Sequence, residues 1–431
     1  MKLKTLTTAI ILATVPMTGA FAAALDRSGQ SIAAFLQPGN YFEAGISVLD
    51  PNVSGKVRNG YTPNPAAPAA LIGLENTSVG EMAGDYYFPQ AALKFQLTDH
   101  FSFGLIYDQP FGADAEYKTD TKTTSTLPGA LAPLSNQGAF HNGTEGTSVE
   151  VTTQSLSMIF GFQPTGNWNI YAGPVYQTVK GDIQLRGTAY GGNATFGGYN
   201  ASIKENGDMG WLAGFAYQIP EIALKASVTY RSEIEHSVEA RESFNAAGLF
   251  AALNAAPSQD TDITTPQSVN LDLQTGIMAN TVAFANVRWV NWKDFSIQPY
   301  KFGLASKNAT VQAQTGKSQF DLVAYTDDQI SATVGVGRKL SEQWAGNVSV
   351  GWDSGAGNPV TTLGPTEGYW NLGLGAQFSP TPQTFIAGGV KYFWLGDAKA
   401  QSGAQFDTAN YVADFEDNHA IAYGLKMGYK F

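Results

Sequence analysis

Side chains able to carry out chemistry are few in this chain and nowhere grouped. The four His residues, His100, His141, His236 and His419, show no HExxH or His-x-His spacing, so no metal site is expected. There is no Cys, which removes disulfides, thiolate nucleophiles and Cys-ligated zinc or iron–sulfur. No GxSxG elbow exists to mount a Ser nucleophile, which counts against a Ser/His hydrolase. Gly335-Val336-Gly337 and Gly373-Leu374-Gly375 resemble dinucleotide glycines, yet they lie in strand-like runs and open no helix. Neither an enzyme nor a cofactor is expected.

The remaining chemistry is the capture of apolar matter. Segments that should be water-facing loops carry apolar runs: Ala66 to Leu74, Leu127 to Leu134 and Phe244 to Leu253. In the last run, Ala246, Leu249, Phe250 and Leu253 share one helical face. Two readings stay open. The loops pack on one another as a cap, or Phe244, Leu249, Phe250 and Leu253 form an exposed groove for a hydrophobic molecule. The stretch Phe101-Ser-Phe103-Gly-Leu105-Ile-Tyr107-Asp108-Gln109-Pro110-Phe111-Gly112 is also irregular, because Pro donates no ladder bond and Gly permits a bend. Either the strand ends at Asp108, or Asp108 to Gly112 open a window in a wall.

Charged side chains supply a third candidate. If Leu224, Val228 and Tyr230 face lipid, then Lys225, Arg231 and Glu233 face inward by alternation, as do Lys94 and Lys391. These cations either pair with Glu43, Asp272 and Asp353, or leave Arg231 or Lys225 free to receive a ligand carboxylate.

Such candidates need a scaffold, and the composition points to strands. The 431 residues are 43% hydrophobic, 12% aromatic and only 14% charged, below the roughly one quarter charged of soluble domains. Past the N-terminus there is no apolar run of the ~20 residues a membrane helix needs. A net charge of −11 argues against nucleic acid, which calls for a basic stripe. Met1 to Lys4, an apolar core and Ala20-Phe21-Ala22 read as a signal peptide over residues 1–22, implying export from a bacterial cytoplasm. The terminal run Ile421, Tyr423, Leu425, Met427, Tyr429, Phe431 is apolar at every second position, with Ala, Gly or Lys between. Apolar-out and polar-in alternation is the outer-membrane barrel signature. It recurs at Phe42–Val48, Ala91–Leu97, Val269–Thr275, Trp344–Trp352 and Trp370–Phe378.

Six short turns and seven long loops, among them Gly187–Asp208, Ala240–Thr261 and Lys301–Asp321, imply fourteen strands. Trp168, Trp211, Trp344, Trp370, Trp394, Tyr86 and Tyr87 fall near strand ends, where interfacial belts lie. The expected fold is an all-β transmembrane antiparallel barrel of about 14 strands over residues 41–431. Residues 23–40 are expected to plug it as a short hatch, starting at Leu25, Asp26, Arg27 and Ser28. Register stays open in strands five and nine, interrupted by Gly173-Pro174 and by Arg288 to Trp292.

Several short motifs stand in a specific order. Phe88-Pro89, Asp99-His-Phe101-Ser-Phe103-Gly-Leu105 and Pro110-Phe111-Gly112 resemble the second-to-third-strand region of the FadL-type long-chain fatty-acid transporter family. Tyr230-Arg231-Ser232-Glu233-Ile234, Trp289-x-x-Trp292-x-x-Phe295, Asp328 and Gly351-Trp352-Asp353-Ser354 resemble its later segments. The resemblance implies a hatch-plugged barrel in the outer membrane, among lipid and lipopolysaccharide, assembled through its C-terminal strand. It implies passive uptake of fatty acids or other hydrophobic compounds, caught by loops and released sideways at a kinked third strand, here Asp108–Gly112. The ligand would descend to a pocket lined by Phe101, Phe103 and the hatch. One departure is the hatch: Gln37-Pro38-Gly39 stands where the family carries NPA, and Asn64-Pro65-Ala66 lies in a loop. The alternative is a structural or adhesion barrel whose loops bind host or phage partners.

Overall fold

The computed structural model describes residues 25–63 and 69–431. The expected signal peptide and the Asn64-Pro65-Ala66 stretch lie outside the described residues.

Alternating side chains roll the chain into one closed antiparallel barrel. Its first spans are β1 (Tyr41–Asn52), β2 (Tyr86–Gln96) and a third in two pieces, β3a (Phe101–Asp108) and β3b (Gly112–Glu116). Then come β4 (Ser148–Thr165), β5 (Trp168–Leu185), β6 (Tyr199–Ile219), β7a (Leu224–Arg231) with β7b (Ile234–Ser243), and β8a (Asp260–Thr265) with β8b (Ser268–Met278). The last six are β9 (Thr281–Val290), β10 (Gln329–Lys339), β11 (Trp344–Asp353), β12 (Tyr369–Phe378), β13 (Thr384–Leu395) and β14 (His419–Lys430). Counting the split spans once gives the 14 expected, and β1 closes the wall on β14 from Tyr41↔Lys430 to Asn52↔His419.

The alternation of the sequence is the alternation of the wall. Ile421, Tyr423, Leu425, Met427 and Tyr429 stand exposed on the outside, while Ala420 and Ala422 are buried inside. Small inward residues leave room for what fills the lumen. Residues 25–40 run within it without regular secondary structure, and Ile32, Phe35 and Leu36 pack on Tyr41, Ile106, Tyr171, Leu212 and Phe385 of the inner wall.

Both doubtful registers resolve. In β5 the pairing with β4 lapses at Gly173-Pro174 and resumes in the same register, Ser157↔Val175 before it and Phe160↔Ala172 after. Pro174 has no N–H to donate, so the ladder skips it. β9 is regular through Arg288, Trp289 and Val290, where it stops, and only Asn291 and Trp292 of the irregular stretch lie beyond the strand.

The long connections fold into a second core above the barrel. Five short strands, one of each from Ser54–Val57, Ser78–Glu81, Val360–Thr361, Ala398–Gln401 and Ala413–Phe415, form a separate sheet. Three stretches expected as loop are partly regular. β6 starts at Tyr199, β7b runs to Ser243, and residues 301–321 hold two helices, Tyr300–Ser306 and Ala309–Thr315. The Glu242 carboxylate draws the first helix onto β7b, accepting from Lys301 N at 2.7 Å and Phe302 N at 2.8 Å. A carboxylate is favourable at those unpaired amides.

Candidate functional site

The inner wall grips the N-terminal segment through polar side chains that alternation turns inward. Arg288 on β9 donates from Nε to Asp26 Oδ2 at 2.7 Å and from Nη2 to Gln30 Oε1 at 3.0 Å. Asn270 Nδ2 donates to the Gly29 carbonyl at 2.8 Å. Arg231 donates to Ser157 Oγ at 3.1 Å and to the Gln30 carbonyl at 3.2 Å. Further along, Lys225 Nζ donates to the Leu36 carbonyl at 2.9 Å and Lys94 Nζ to the Gln37 carbonyl at 2.6 Å. Irregular backbone inside a barrel must have its polar groups satisfied, and these wall cations supply the donors.

The same segment meets a break in the wall. β2 pairs with β3a up to Ala91↔Tyr107, where the strand ladder lapses; the chain rejoins β3b through Tyr86 Oη, which accepts from Asp114 N at 2.6 Å, and at the bridge Ala83↔Ala115 just ahead of β2. Between those points the residues around Gln109-Pro110 leave the ladder. Arg27 N donates to the Pro110 carbonyl at 2.7 Å, Gly112 N to the Leu25 carbonyl at 2.8 Å, and Asp26 bridges Phe111. Ser28 Oγ donates to Asp108 Oδ2 at 2.9 Å, and Arg27 stacks over the Tyr86 ring. Leu25 to Ser28 thus lie behind the break and bond to its edge. The third span continues past Asp108 as β3b, with the N-terminal segment bonded along the break between its two pieces.

At the long-loop end lies a cavity of about 470 Å³. Leu131, Leu134, Tyr190, Phe196, Phe302 and Phe320 contribute to its lining. Burial pushes the phenols of Tyr61 and Tyr190 upward, so they present neutral hydroxyls there.

A barrel closed to 14 spans, with residues 25–40 running inside it and long loops packed above it, is matched by one family model. That model, "Outer membrane protein transport protein (OMPP1/FadL/TodX)", covers residues 30–431. The chain belongs to this family. Its fold and its family assign it to the bacterial outer membrane. Among solved structures, a Pseudomonas aeruginosa FadL homologue aligns at TM-score 0.66 and 16% identity, over 93% of this chain and 92% of that one. The Pseudomonas putida toluene transporter TodX aligns at 0.58 and 13%, over 93% and 91%. The Ralstonia pickettii toluene transporter TbuX aligns at 0.56 and 12%, over 96% and 98%. No curated protein sequence matches.

In this FadL-type barrel several expected positions need correction. Phe101 and Phe103 do not line the lumen: they stand on the outward face of β3a, 5.2 Å from Phe162 and 5.3 Å from Phe160 respectively, ring centre to ring centre. The inward face of β3a is Ser102, Gly104, Ile106 and Asp108. Phe244 and Phe250 are buried against Phe196, Leu249 is exposed, and Leu253 is half-buried, so the four form no groove. They share no α-helix either; Ala251–Ala255 is a short 3-10 turn. Phe244 and Phe250 back the cavity wall without lining it, because aromatic packing won over exposure.

Arg231 and Lys225 do face inward, but Glu233 lies off the strand and exposed. Neither cation pairs with Glu43, whose partner is Lys426 at 3.1 Å. Tyr86 points inward rather than to an interfacial belt. Sequence reading missed Arg288, Ser268 and Asn270. Inward alternation across β8b and β9 could have found them, had the Arg288–Trp292 irregularity not obscured the register.

Proposed function

We propose that the chain is a passive channel for hydrophobic molecules, fatty acids or monoaromatic hydrocarbons. Molecules are caught in the loop cavity, pass the N-terminal segment acting as a hatch, and leave sideways at Asp108, Gln109, Pro110, Phe111 and Gly112. The observation that carries this reading is the wall gap backed by Leu25, Asp26, Arg27 and Ser28, since a barrel serving water-soluble solutes has no use for a side exit. Burial of apolar surface, at about 25 cal/mol per Å², supplies the pull into the cavity. The name of TodX and TbuX as toluene transporters adds weight to an uncharged aromatic substrate. A carboxylate head would be met by Arg231, whose Nε has no partner among the described residues. An adhesion barrel is less well supported, because the loop aromatics are spent on an internal core.

Cells lacking their own hydrophobic channels, with and without this chain, test the reading by uptake of labelled toluene and labelled oleate. Faster uptake of either supports it. No gain for both, with the folded barrel present in the outer membrane, refutes it.

A further inference from the structure

Arg58 follows the short cap strand Ser54–Val57 and stands at the edge of the loop cavity. Its backbone is fixed there: the N–H donates to the Val412 carbonyl at 2.9 Å, and the carbonyl accepts from Tyr61 N at 3.3 Å. The guanidinium lies over the Tyr411 ring, 5.1 Å from its centroid. Such stacking uses the flat face of the cation and leaves the in-plane N–H donors pointing sideways. None of those donors meets an acceptor among the described residues, and Nε is buried without a partner.

The charges nearby are balanced without it. Asp414 stands directly opposite Lys56 on one neighbouring strand and Lys399 on the other, so two cations flank that carboxylate. Of the described residues lining the cavity, Arg58 is the one that carries a charge. The Tyr61 hydroxyl is engaged by Thr188 Oγ1 at 3.2 Å, and that of Tyr190 by Thr362 Oγ1 at 2.9 Å.

The rest of the cavity has an apolar wall and a polar rim. Leu134, Phe196, Phe302, Phe320 and Leu322 are buried in the wall. Exposed Gln314, Thr408 and Asn410 stand at the rim, the last of them next to the Tyr411 on which Arg58 stacks. An apolar cavity of about 150 Å³ is enough for benzene, so one aromatic ring would take up roughly a third of the 470 Å³ here. A chain of many methylenes fills the remainder, and each one buried adds to the pull. Size and charge point the same way.

We propose that the loop cavity binds a long-chain carboxylate tail-first, its head held by Arg58 through charge-assisted hydrogen bonds. The inference rests on the transport reading above and narrows its substrate class to fatty acids over monoaromatic hydrocarbons. The planar fork of Arg58 matches a carboxylate with two parallel bonds, which a hydrocarbon has no atoms to accept.

Binding of labelled oleate and labelled oleyl alcohol to intact cells, chilled to stop transport, tests this against barrel-free cells. Arg58→Gln should weaken binding of the acid about tenfold or more, because a bond to a charged group is worth about one decade. The alcohol should stay within about twofold of wild type. Arg58→Lys, which keeps the charge and loses the fork, should fall between the two. Ala404→Trp, which sets a ring into the cavity from its lining, should weaken acid and alcohol alike. Equal losses for acid and alcohol in Arg58→Gln, or no loss for the acid, would overturn the proposal, given a barrel that is still heat-modifiable. So would an Ala404→Trp variant that binds both as wild type does. Toluene uptake by wild type without saturable oleate binding would overturn the proposal and leave the transport reading standing. Oleate that binds in the cold but is never taken up on warming would overturn the transport reading alone.

Discussion

Arg288 and Asp26 meet inside the barrel through two hydrogen bonds, Nε to Oδ2 at 2.7 Å and Nη2 to Oδ1 at 3.2 Å, with both side chains almost wholly buried. This forked contact ties the start of the N-terminal segment to β9. It places Leu25 to Ser28 where they back the gap in the third span.

Removing one partner of a buried ion pair leaves the other uncompensated, at a cost of about 3–5 kcal/mol. Arg288→Ala is therefore expected to release the segment while the wall ladder survives. Amide exchange at residues 26–30 should quicken and single-channel conductance should rise. An unchanged exchange pattern would show that the wall holds the segment by packing alone.

Lys225 is engaged with the Leu36 carbonyl rather than waiting for a ligand. Lys225→Ala should then impair uptake of a fatty acid and of its neutral alcohol to the same degree, through loss of segment anchoring. A loss confined to the acid would return Lys225 to the role of carboxylate receptor.

Gly104 and Phe103 stand next to each other on opposite faces of β3a, and their substitution should separate lumen from lipid. A Cβ at position 104 would come 2.6 Å from Phe35 Cδ2, so Gly104→Leu must displace the segment or the strand. Uptake should change sharply. Phe103→Ala touches only the outer face, where it packs on Phe160, and should leave uptake near wild type.

Glu367, in the loop before β12, has its carboxyl pushed up to about 7, chiefly by burial and partly opposed by the Gly357 and Ala356 amides. A carboxyl raised in the folded state binds its proton more tightly there than when unfolded, so its contribution favours the folded loop at low pH. That contribution declines as pH rises from the ordinary carboxylate range toward 7. Protease resistance of the long loops should fall over this window in the wild type. In Glu367→Gln the Glu367 component of that dependence should vanish.

Much of the barrel was legible because lipid imposes a rule on each residue separately. A strand with lipid on one side and lumen on the other must alternate, and Ile421, Tyr423, Leu425 and Met427 do so whatever their neighbours are. Turn positions followed from the same pattern, and with them the number of spans. Lys225, Arg231 and Lys94 could be assigned to the inside for the same reason.

What the inward residues do was decided only by the tertiary structure. No local pattern indicates that Arg288 faces Asp26 across 262 positions of chain, or that Lys94 and Lys225 hold carbonyls of one segment. Phe101 and Phe103 obey the same apolar-out rule, with Ser102 and Gly104 turned inward between them, and their pairing with Phe162 and Phe160 of β4 on the outer face overturns their assignment to the lumen. Phe244 and Phe250 failed for a different reason. An apolar loop residue is exposed or buried according to which other loops arrive, and Phe196 and Phe302 come from two of them. Periodicity is a property of one strand, and the sequence by itself determined the wall. The break in the third span and the course of the N-terminal segment depend on how distant strands meet, which only closure of the barrel fixes.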